Sequence, residues 1–371
     1  MIEQRFLSKL SDKKALILLG ARQVGKSTFL QLIKDHLTVP VLQLNGDDAD
    51  VREILSNTTT TNLKAITANN RTLIIDEAQR IENIGITIKQ IVDGINDVKV
   101  IATGSSSFDL ANKINEPLTG RKWTFQLYPF SFAEMVQQHG LLEEKRLLYH
   151  RLIYGYYPEI VTVPDGSEKE RLLNLADSYL YKDILIWERI HKPDKLEKLL
   201  QALALQLGNE VSFNELAQVT GLDNQTVESY VQILEDAFIV FRLPAFNRNI
   251  RNELKKSRKI YFYDNGIRNA VINQFNTIEL RSDKGALWEN FLVSERHKRN
   301  SFLGRRYSAY FWRTHAQQEI DYVEEEGSTI RAWEFKWNKK ANKKFSKSFL
   351  DAYQPETTQV ISPDNLEKFL L

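Results

Sequence analysis

Gly20-Ala21-Arg22-Gln23-Val24-Gly25-Lys26-Ser27-Thr28 follows the apolar run Ala15–Leu19 and opens a stretch with helical spacing. The pattern GxxxxGK[ST] between a strand and a helix is that of a phosphate-binding loop. Its glycines let the backbone wrap close to an anion, while its N–H groups and the following helix N-terminus face the negative charge. In this reading Gly20 to Thr28 bind a nucleotide, Lys26 reaches the β- and γ-phosphates, and Ser27 places its hydroxyl on Mg²⁺. An ordinary tight turn is the bland alternative, and the flanking strand and helix argue against it.

Around this loop, short β-rich runs alternate with helical stretches. Ala15–Leu19, Val39–Leu44, Thr72–Ile75, Val98–Ala102 and Trp123–Tyr128 read as strands. Strands separated by helices predict an α/β fold with a doubly wound parallel sheet, here of the P-loop NTPase kind. The third strand runs into Asp76-Glu77, which suits Asp76 as a metal-side acid and Glu77 as the catalytic group that polarises an attacking water. The fourth ends in Thr103-Gly104-Ser105-Ser106, and polar groups at that strand end lie where a γ-phosphate is sensed, so Thr103 and Ser105 are candidate sensors. Arg121, in Leu118-Thr119-Gly120-Arg121, is a candidate to neutralise γ-phosphate charge, in its own subunit or in a neighbour. Guanine specificity is disfavoured, because Asn112-Lys113-Ile114-Asn115 lacks the aspartate of an Asn-Lys-x-Asp motif.

The rest of the composition narrows the class. A chain of 371 residues predicts two or three domains, and 42% hydrophobic with 26% charged residues is ordinary for globular proteins. With no cysteine, disulfides, thiolate zinc sites, iron–sulfur clusters and cysteine nucleophiles are excluded together, and a reducing cytoplasm is the expected location. The longest apolar runs fall far below the ~20 residues of a membrane span, so neither export nor anchoring is expected. A net charge of +2 says little about nucleic acid, which leaves local clusters to carry that case.

Phe130 to Lys192 loses the strand signal and keeps helical spacing, as at Leu172, Leu175, Ala176, Tyr179 and Leu180. Asp194–Gly266 then reads as helix, helix, turn, helix and two strands, the order of a winged helix-turn-helix. Its helices are placed at Phe213–Thr220 and Asn224–Glu235, with Val219, Leu222, Val227, Tyr230 and Leu234 as core. The second helix turns Gln225, Glu228, Gln232 and Glu235 outward with no arginine or lysine, which argues against reading base sequence. Basic charge gathers instead at Arg248, Arg251, Lys255, Lys256, Arg258 and Lys259, a stretch suited to phosphate contact with DNA irrespective of sequence. Packing on the chain's own remaining elements, with solvated lysines, is the competing reading.

After Asn276 a helix is expected over Lys284–Lys298, then strands near Tyr307–Arg313, Glu319–Glu324 and Ile330–Trp337. Glu289, Asp321, Glu334 and Lys336 form the order E…D…ExK, and strand alternation sets Glu334 and Lys336 on one face. Carboxylates that share a divalent cation beside a lysine suit metal-assisted phosphodiester cleavage. Five lysines from Lys339 to Lys347 follow and suit phosphate contact or a solvated loop, while His297 and His315 read as surface residues.

The stretches GARQVGKST, LIIDEAQ, ATGSSS, LTGR and YPFSFAEM together resemble a group of prokaryotic AAA-superfamily ATPases. In that group a C-terminal domain of unknown function, containing a winged helix and a PD-(D/E)xK nuclease-like (restriction-endonuclease-like) fold, follows the ATPase. The resemblance covers essentially the whole chain. It implies an ATPase core over residues 1–135, a helical lid or connector over 136–192, a winged helix-turn-helix over 193–275 and a nuclease-like domain over 276–371. It further implies ATP with Mg²⁺, and a homo-oligomeric ring such as a hexamer, in which Arg121 acts across a subunit boundary. Three functions stay open: ATP hydrolysis coupled to DNA binding or remodelling, including branched DNA in recombination or repair; a regulatory ATPase switch acting on protein partners; and an ATP-gated, metal-dependent nuclease.

Overall fold

The computed structural model describes residues 2–105, 114, 117–163, 165–177, 192–246, 257–314, 316–338 and 345–371. By compactness the chain divides into two units, residues 1–129 with 236–238, and residues 130–235 with 239–371.

The first unit is built on a five-stranded sheet of β1 (Ala15–Gly20), β2 (Val41–Asn45), β3 (Thr72–Asp76), β4 (Lys99–Gly104) and β5 (Lys122–Leu127). The spatial order is β2-β3-β4-β1-β5, with every neighbouring pair parallel. Every residue of β1 is buried, as expected of a strand flanked on both edges and covered on both faces, and its sequence is correspondingly one apolar run. Because all five strands run the same way, the residues following β1, β3 and β4 meet at one edge of the sheet. A Cβ on Gly20 would lie 2.3 Å from the Leu127 carbonyl oxygen, so the β1–β5 register tolerates no side chain there.

In the second unit, helices Phe132–His139, Leu148–Tyr154, Glu168–Ala176 and Pro193–Leu205 precede a small antiparallel sheet of order β6-β8-β7. Its strands are β6 (Glu210–Val211), β7 (Val240–Pro244) and β8 (Arg258–Phe262), with helices Phe213–Thr220 and Asn224–Asp236 between β6 and β7. Leu222, Val227, Tyr230 and Leu234 are buried, whereas Val219, expected in this core, is 60% exposed. It precedes Thr220 and Gly221, where the helix ends in a left-handed glycine, and its position falls on the outer face.

A second sheet, of order β12-β11-β10-β9, comprises β9 (Ser308–Arg313), β10 (Glu319–Glu326), β11 (Thr329–Phe335) and β12 (Thr357–Ile361). β9, β10 and β11 are antiparallel, and β12 joins β11 in parallel. The strands β6 and β12 were not anticipated from sequence. β6 is two residues long, and β12 (TTQVI) carries mixed polarity. On one face Trp312, Ile320, Val323, Ile330 and Ala332 pack with Phe246 and Phe349.

Helix Lys284–Leu303 is buried on most of its circumference, including Glu295, Arg296, Lys298 and Asn300. A helix enclosed in this way needs an internal partner for each polar group. The Glu295 carboxylate accepts from the Phe132 N–H at 2.6 Å and from Lys298 Nζ at 2.7 Å. Arg296 grips Glu324 with two nitrogens, each at 2.7 Å. His297 is half-buried rather than a surface residue, its ring stacked on Phe241 with centroids 4.9 Å apart. Burial, with Lys298 adding to it, lowers its pKa to about 4. His315 lies outside the described residues.

Candidate nucleotide site

At the carboxyl edge of the parallel sheet, the loop after β1 ends in Gly25, whose φ of 92° is left-handed and suits a residue without a Cβ. Helix Lys26–Asp35 starts there. Ala21 and Val24 are buried and hold the loop down, while Arg22, Gln23, Ser27 and Thr28 face solvent. Lys26 is buried, with Nζ donating to the carbonyl oxygens of Gly20 at 3.0 Å and Ala21 at 2.9 Å. Its ammonium thus rests inside the loop.

Three strand ends converge beside it. The Ser27 hydroxyl donates to Asp76 Oδ2 at 3.3 Å, and the Thr103 hydroxyl donates to Asp76 Oδ1. A hydroxyl and a carboxylate at hydrogen-bond distance are the oxygen ligands Mg²⁺ takes when phosphate oxygens and waters complete its shell, so these two residues fit the ion. Glu77 takes a left-handed conformation, φ 48° and ψ 40°, an uncommon state for a glutamate. Its N–H donates to Asp76 Oδ1 at 3.1 Å and to the Thr103 hydroxyl at 3.3 Å. Ser105 sits at the end of β4 with its hydroxyl 3.5 Å from Glu77 Oε2. Sequence reasoning missed Gln79, whose side-chain amide donates to both Glu77 Oε2 and the Ser105 hydroxyl.

Arg121 is elsewhere. Its carbonyl accepts from the Ala15 N–H, and Ala15 pairs with Lys122 while Gly20 pairs with Leu127. Arg121 therefore stands at the amino edge of the sheet, a strand length of about 16 Å from the loop edge. Its Nε donates to both Asp93 oxygens, at 2.7 and 2.9 Å. In this placement its guanidinium lies on Asp93 and not beside the phosphate loop.

Residues 12–136 match the family model described as "AAA domain". Over that segment the chain is similar to AAA domains. Residues 145–277 and 284–368 match two further family models, each described as a domain of unknown function (DUF8612 and DUF4143). Relatives include an uncharacterized protein of Haemophilus influenzae, 23% identical over 340 residues that cover 85% of this chain and 80% of the relative. An uncharacterized protein of Mycobacterium tuberculosis is 25% identical over 317 residues, covering 84% of this chain and 68% of the relative. Among solved structures, a Walker-type ATPase of Pyrococcus abyssi is similar with a TM-score of 0.48 and 16% identity, covering 73% of this chain and 94% of that one. Phosphate loop, Asp76 and Glu77 all fall within the matched segment. Among the described residues no helix is long and apolar enough to cross a membrane.

Outside residues 12–136, the residues of the order E…D…ExK fall into two ion-paired groups, Asp321 and Glu334 with Lys336, and Glu289 with Lys259. Lys336 Nζ lies 3.6 Å from Asp321 Oδ2 and 3.3 Å from Glu334 Oε2, and the Phe335 N–H donates to Asp321 Oδ2 at 2.6 Å. A register shift in β10 between Ile320 and Val323 brackets Asp321, a device that re-aims a side chain. Glu289 accepts from Tyr261 Oη at 2.6 Å and from Lys259 Nζ at 2.9 Å. Lys259 corrects an expectation: it is not a surface DNA contact but 2% exposed, and it also pairs with Glu319 at 2.6 Å. Strand alternation in β8 turns it inward, to the face opposite Arg258. Burial pulls its ammonium pKa down, but the carboxylates of Glu289 and Glu319 outweigh this and hold it above the ordinary lysine value. With one ammonium between Asp321 and Glu334 and another on Glu289 and Glu319, a divalent cation does not fit this arrangement as it stands. Among the described residues no group of three His, Cys, Asp or Glu side chains is placed to hold a metal.

Arg258 is half-buried, its guanidinium 4.3 Å from the Phe213 ring centroid and 3.9 Å from a Glu228 oxygen. Arg248, Arg251, Lys255 and Lys256 lie outside the described residues, as do Lys339, Lys340, Lys343 and Lys344. Lys347 is exposed.

Proposed function

We propose that this chain is a Mg²⁺-dependent ATPase whose hydrolysis is coupled to sequence-independent contact with DNA. The observation that carries the first half is the convergence of Ser27, Asp76, Glu77 and Thr103 beside the phosphate loop, on three adjacent strands of one sheet. The loop N–H groups and Lys26 bind the phosphates, Lys26 leaving the Gly20 and Ala21 carbonyls to do so. Ser27 and Asp76 would hold the Mg²⁺, which would supply neutralisation of phosphate charge when bound. Glu77 orients and polarises the attacking water, Thr103 keeps Asp76 in place, and Ser105 faces the γ-phosphate position. Water oxygen bonds to the γ-phosphorus as the bond to the bridging oxygen breaks, giving ADP and phosphate.

The DNA half rests on the segment between β7 and β8, which carries Arg248, Arg251, Lys255 and Lys256, read as the wing of a helix-turn-helix over residues 193–275. The outward face of helix Asn224–Asp236 offers Gln225, Glu228 and Gln232 and no cation, which suits phosphate contact by the wing rather than base reading by the helix. The unit over residues 276–371 is read as nuclease-like in fold and silent in chemistry, its carboxylates being served by lysines.

Steady-state ATP hydrolysis by wild type and Glu77→Gln, without DNA and with single-stranded, duplex and four-way-junction DNA, tests the proposal. Stimulation by DNA, absent in Glu77→Gln and falling steeply with salt at a log–log slope of about −0.9 per neutralised phosphate, is expected. Hydrolysis indifferent to every DNA form moves the reading to a switch acting on protein partners. Wild-type turnover in Glu77→Gln removes the ATPase mechanism itself.

A further inference from the structure

We propose that Gln79 is a positioning residue for hydrolysis, holding the Glu77 carboxylate in its working orientation through a three-membered network with Ser105; this rests on Glu77 being the group that polarises water. The strand β3 ends at Asp76, and the left-handed turn at Glu77 sends the chain straight into a short 3-10 turn, Ala78–Arg80. Such a backbone state is unfavourable for a residue with a Cβ and persists only where surroundings enforce it. Here the enforcement is visible in the two acceptors of the Glu77 N–H, Asp76 and Thr103. One effect of the turn is to fold residue 79 back toward residue 77.

The Gln79 side-chain nitrogen then stands 2.6 Å from Glu77 Oε2 and 3.0 Å from the Ser105 hydroxyl. The orientation of this amide follows from chemistry: an ionised carboxylate only accepts, so the NH₂ end must face it. Gln79 is buried and the charge-assisted bond is part-buried, which limits competition from water. Both donors converge on Oε2, leaving Oε1 as the oxygen for water. Ser105 comes from β4 and Glu77 from β3, so Gln79 ties the carboxylate to the neighbouring strand end at the γ-phosphate position. Displacing a catalytic group by about 1 Å costs on the order of a hundredfold in rate.

Gln79→Glu keeps the shape and turns the donor into a repelling acceptor, while Gln79→Met keeps the length and removes the donor. For both, kcat of ATP hydrolysis is expected to fall about 10- to 100-fold, with the dissociation constant for a fluorescent ATP analogue unchanged within about twofold, the Gly25–Ser27 loop being untouched. In a Glu77→Gln background neither substitution should lower the residual rate further, since the carboxylate they position is gone. Wild-type kcat in both variants overturns the proposal, as does a loss of analogue affinity parallel to the loss of rate, which marks a structural role. Wild-type kcat in Glu77→Gln alone instead removes the reading of Glu77 on which the proposal rests, so the two failures are told apart.

Discussion

Lys259 Nζ stands 2.9 Å from Glu289 Oε1, joining a strand of the three-stranded sheet to the long buried helix through an almost fully enclosed ion pair. Tyr261, two residues on and on the same face of β8, donates to the same carboxylate. Removing one partner of a buried pair strands the other charge, at a cost of about 3–5 kcal/mol. Lys259→Met is therefore expected to lower the urea midpoint sharply, and Lys259→Met with Glu289→Gln to recover part of the loss. The pair contributes nothing to DNA affinity in this arrangement. In a folded Lys259→Gln variant, the salt slope of DNA binding should equal that of wild type.

Arg121 and the phosphate loop sit at opposite edges of one sheet, which makes action on a neighbouring subunit the reading of Arg121 to test. Arg121→Ala and Lys26→Ala are each expected to abolish most turnover. Mixed together, they should regain activity above either alone, because the first supplies an intact loop and the second an intact arginine. Mixed oligomers without recovery would exclude the residue from catalysis. The Asp93 partner is exposed, and Asp93→Ala should change stability by no more than about 1 kcal/mol.

His297 gives the second unit an acid-labile element. Its folded-state pKa is depressed to about 4 against an ordinary value of 6.5, so the unfolded chain binds the extra proton first as pH falls. Its contribution is complete above about pH 6.5 and is lost as pH drops toward 4, with a slope of at most about 1.4 kcal/mol per pH unit. The half-burial of the ring makes the realised slope smaller. Urea midpoints measured from pH 8 to pH 4.5 should fall less steeply in His297→Phe than in wild type.

The cluster at Asp321 and Glu334 is expected to be inert. Supercoiled plasmid incubated with wild-type protein and Mn²⁺ should stay uncut, with or without ATP, and indistinguishable from plasmid incubated with Glu334→Ala. Cutting by wild type that Glu334→Ala abolishes would show that Lys336 yields its place to a metal.

Gly20 packs against the Leu127 carbonyl oxygen, where an added Cβ would stand at 2.3 Å. Gly20→Ala should lower stability and ATP affinity together by forcing β1 and β5 apart, a loss read by thermal melting and by analogue binding.

Much of the parallel sheet and of the nucleotide site was legible in the residues alone. The loop Gly20–Ser27 advertises itself because its chemistry is local: backbone N–H groups, a left-handed glycine and a lysine must occur at one spacing. The strand Thr72–Asp76 is legible for a similar reason, since an interior parallel strand is one apolar run and its functional acids follow at its end. Pairings between distant elements are a different matter, for a charged side chain in a sequence does not name its partner. Lys259 reads as the end of a basic run, and only the antiparallel register of β8, with a helix thirty residues away, turns it inward onto Glu289. Arg121 reads as a γ-phosphate ligand of either subunit until the β1–β5 register sets it at the far edge. Gln79 carries no signal in its own identity. Its role follows from a left-handed turn that brings it back onto Glu77 and from a strand order that places Ser105 within reach. Local backbone chemistry is written in consecutive residues, whereas desolvation and long-range pairing, which decide what a charge does, exist only once the chain has folded.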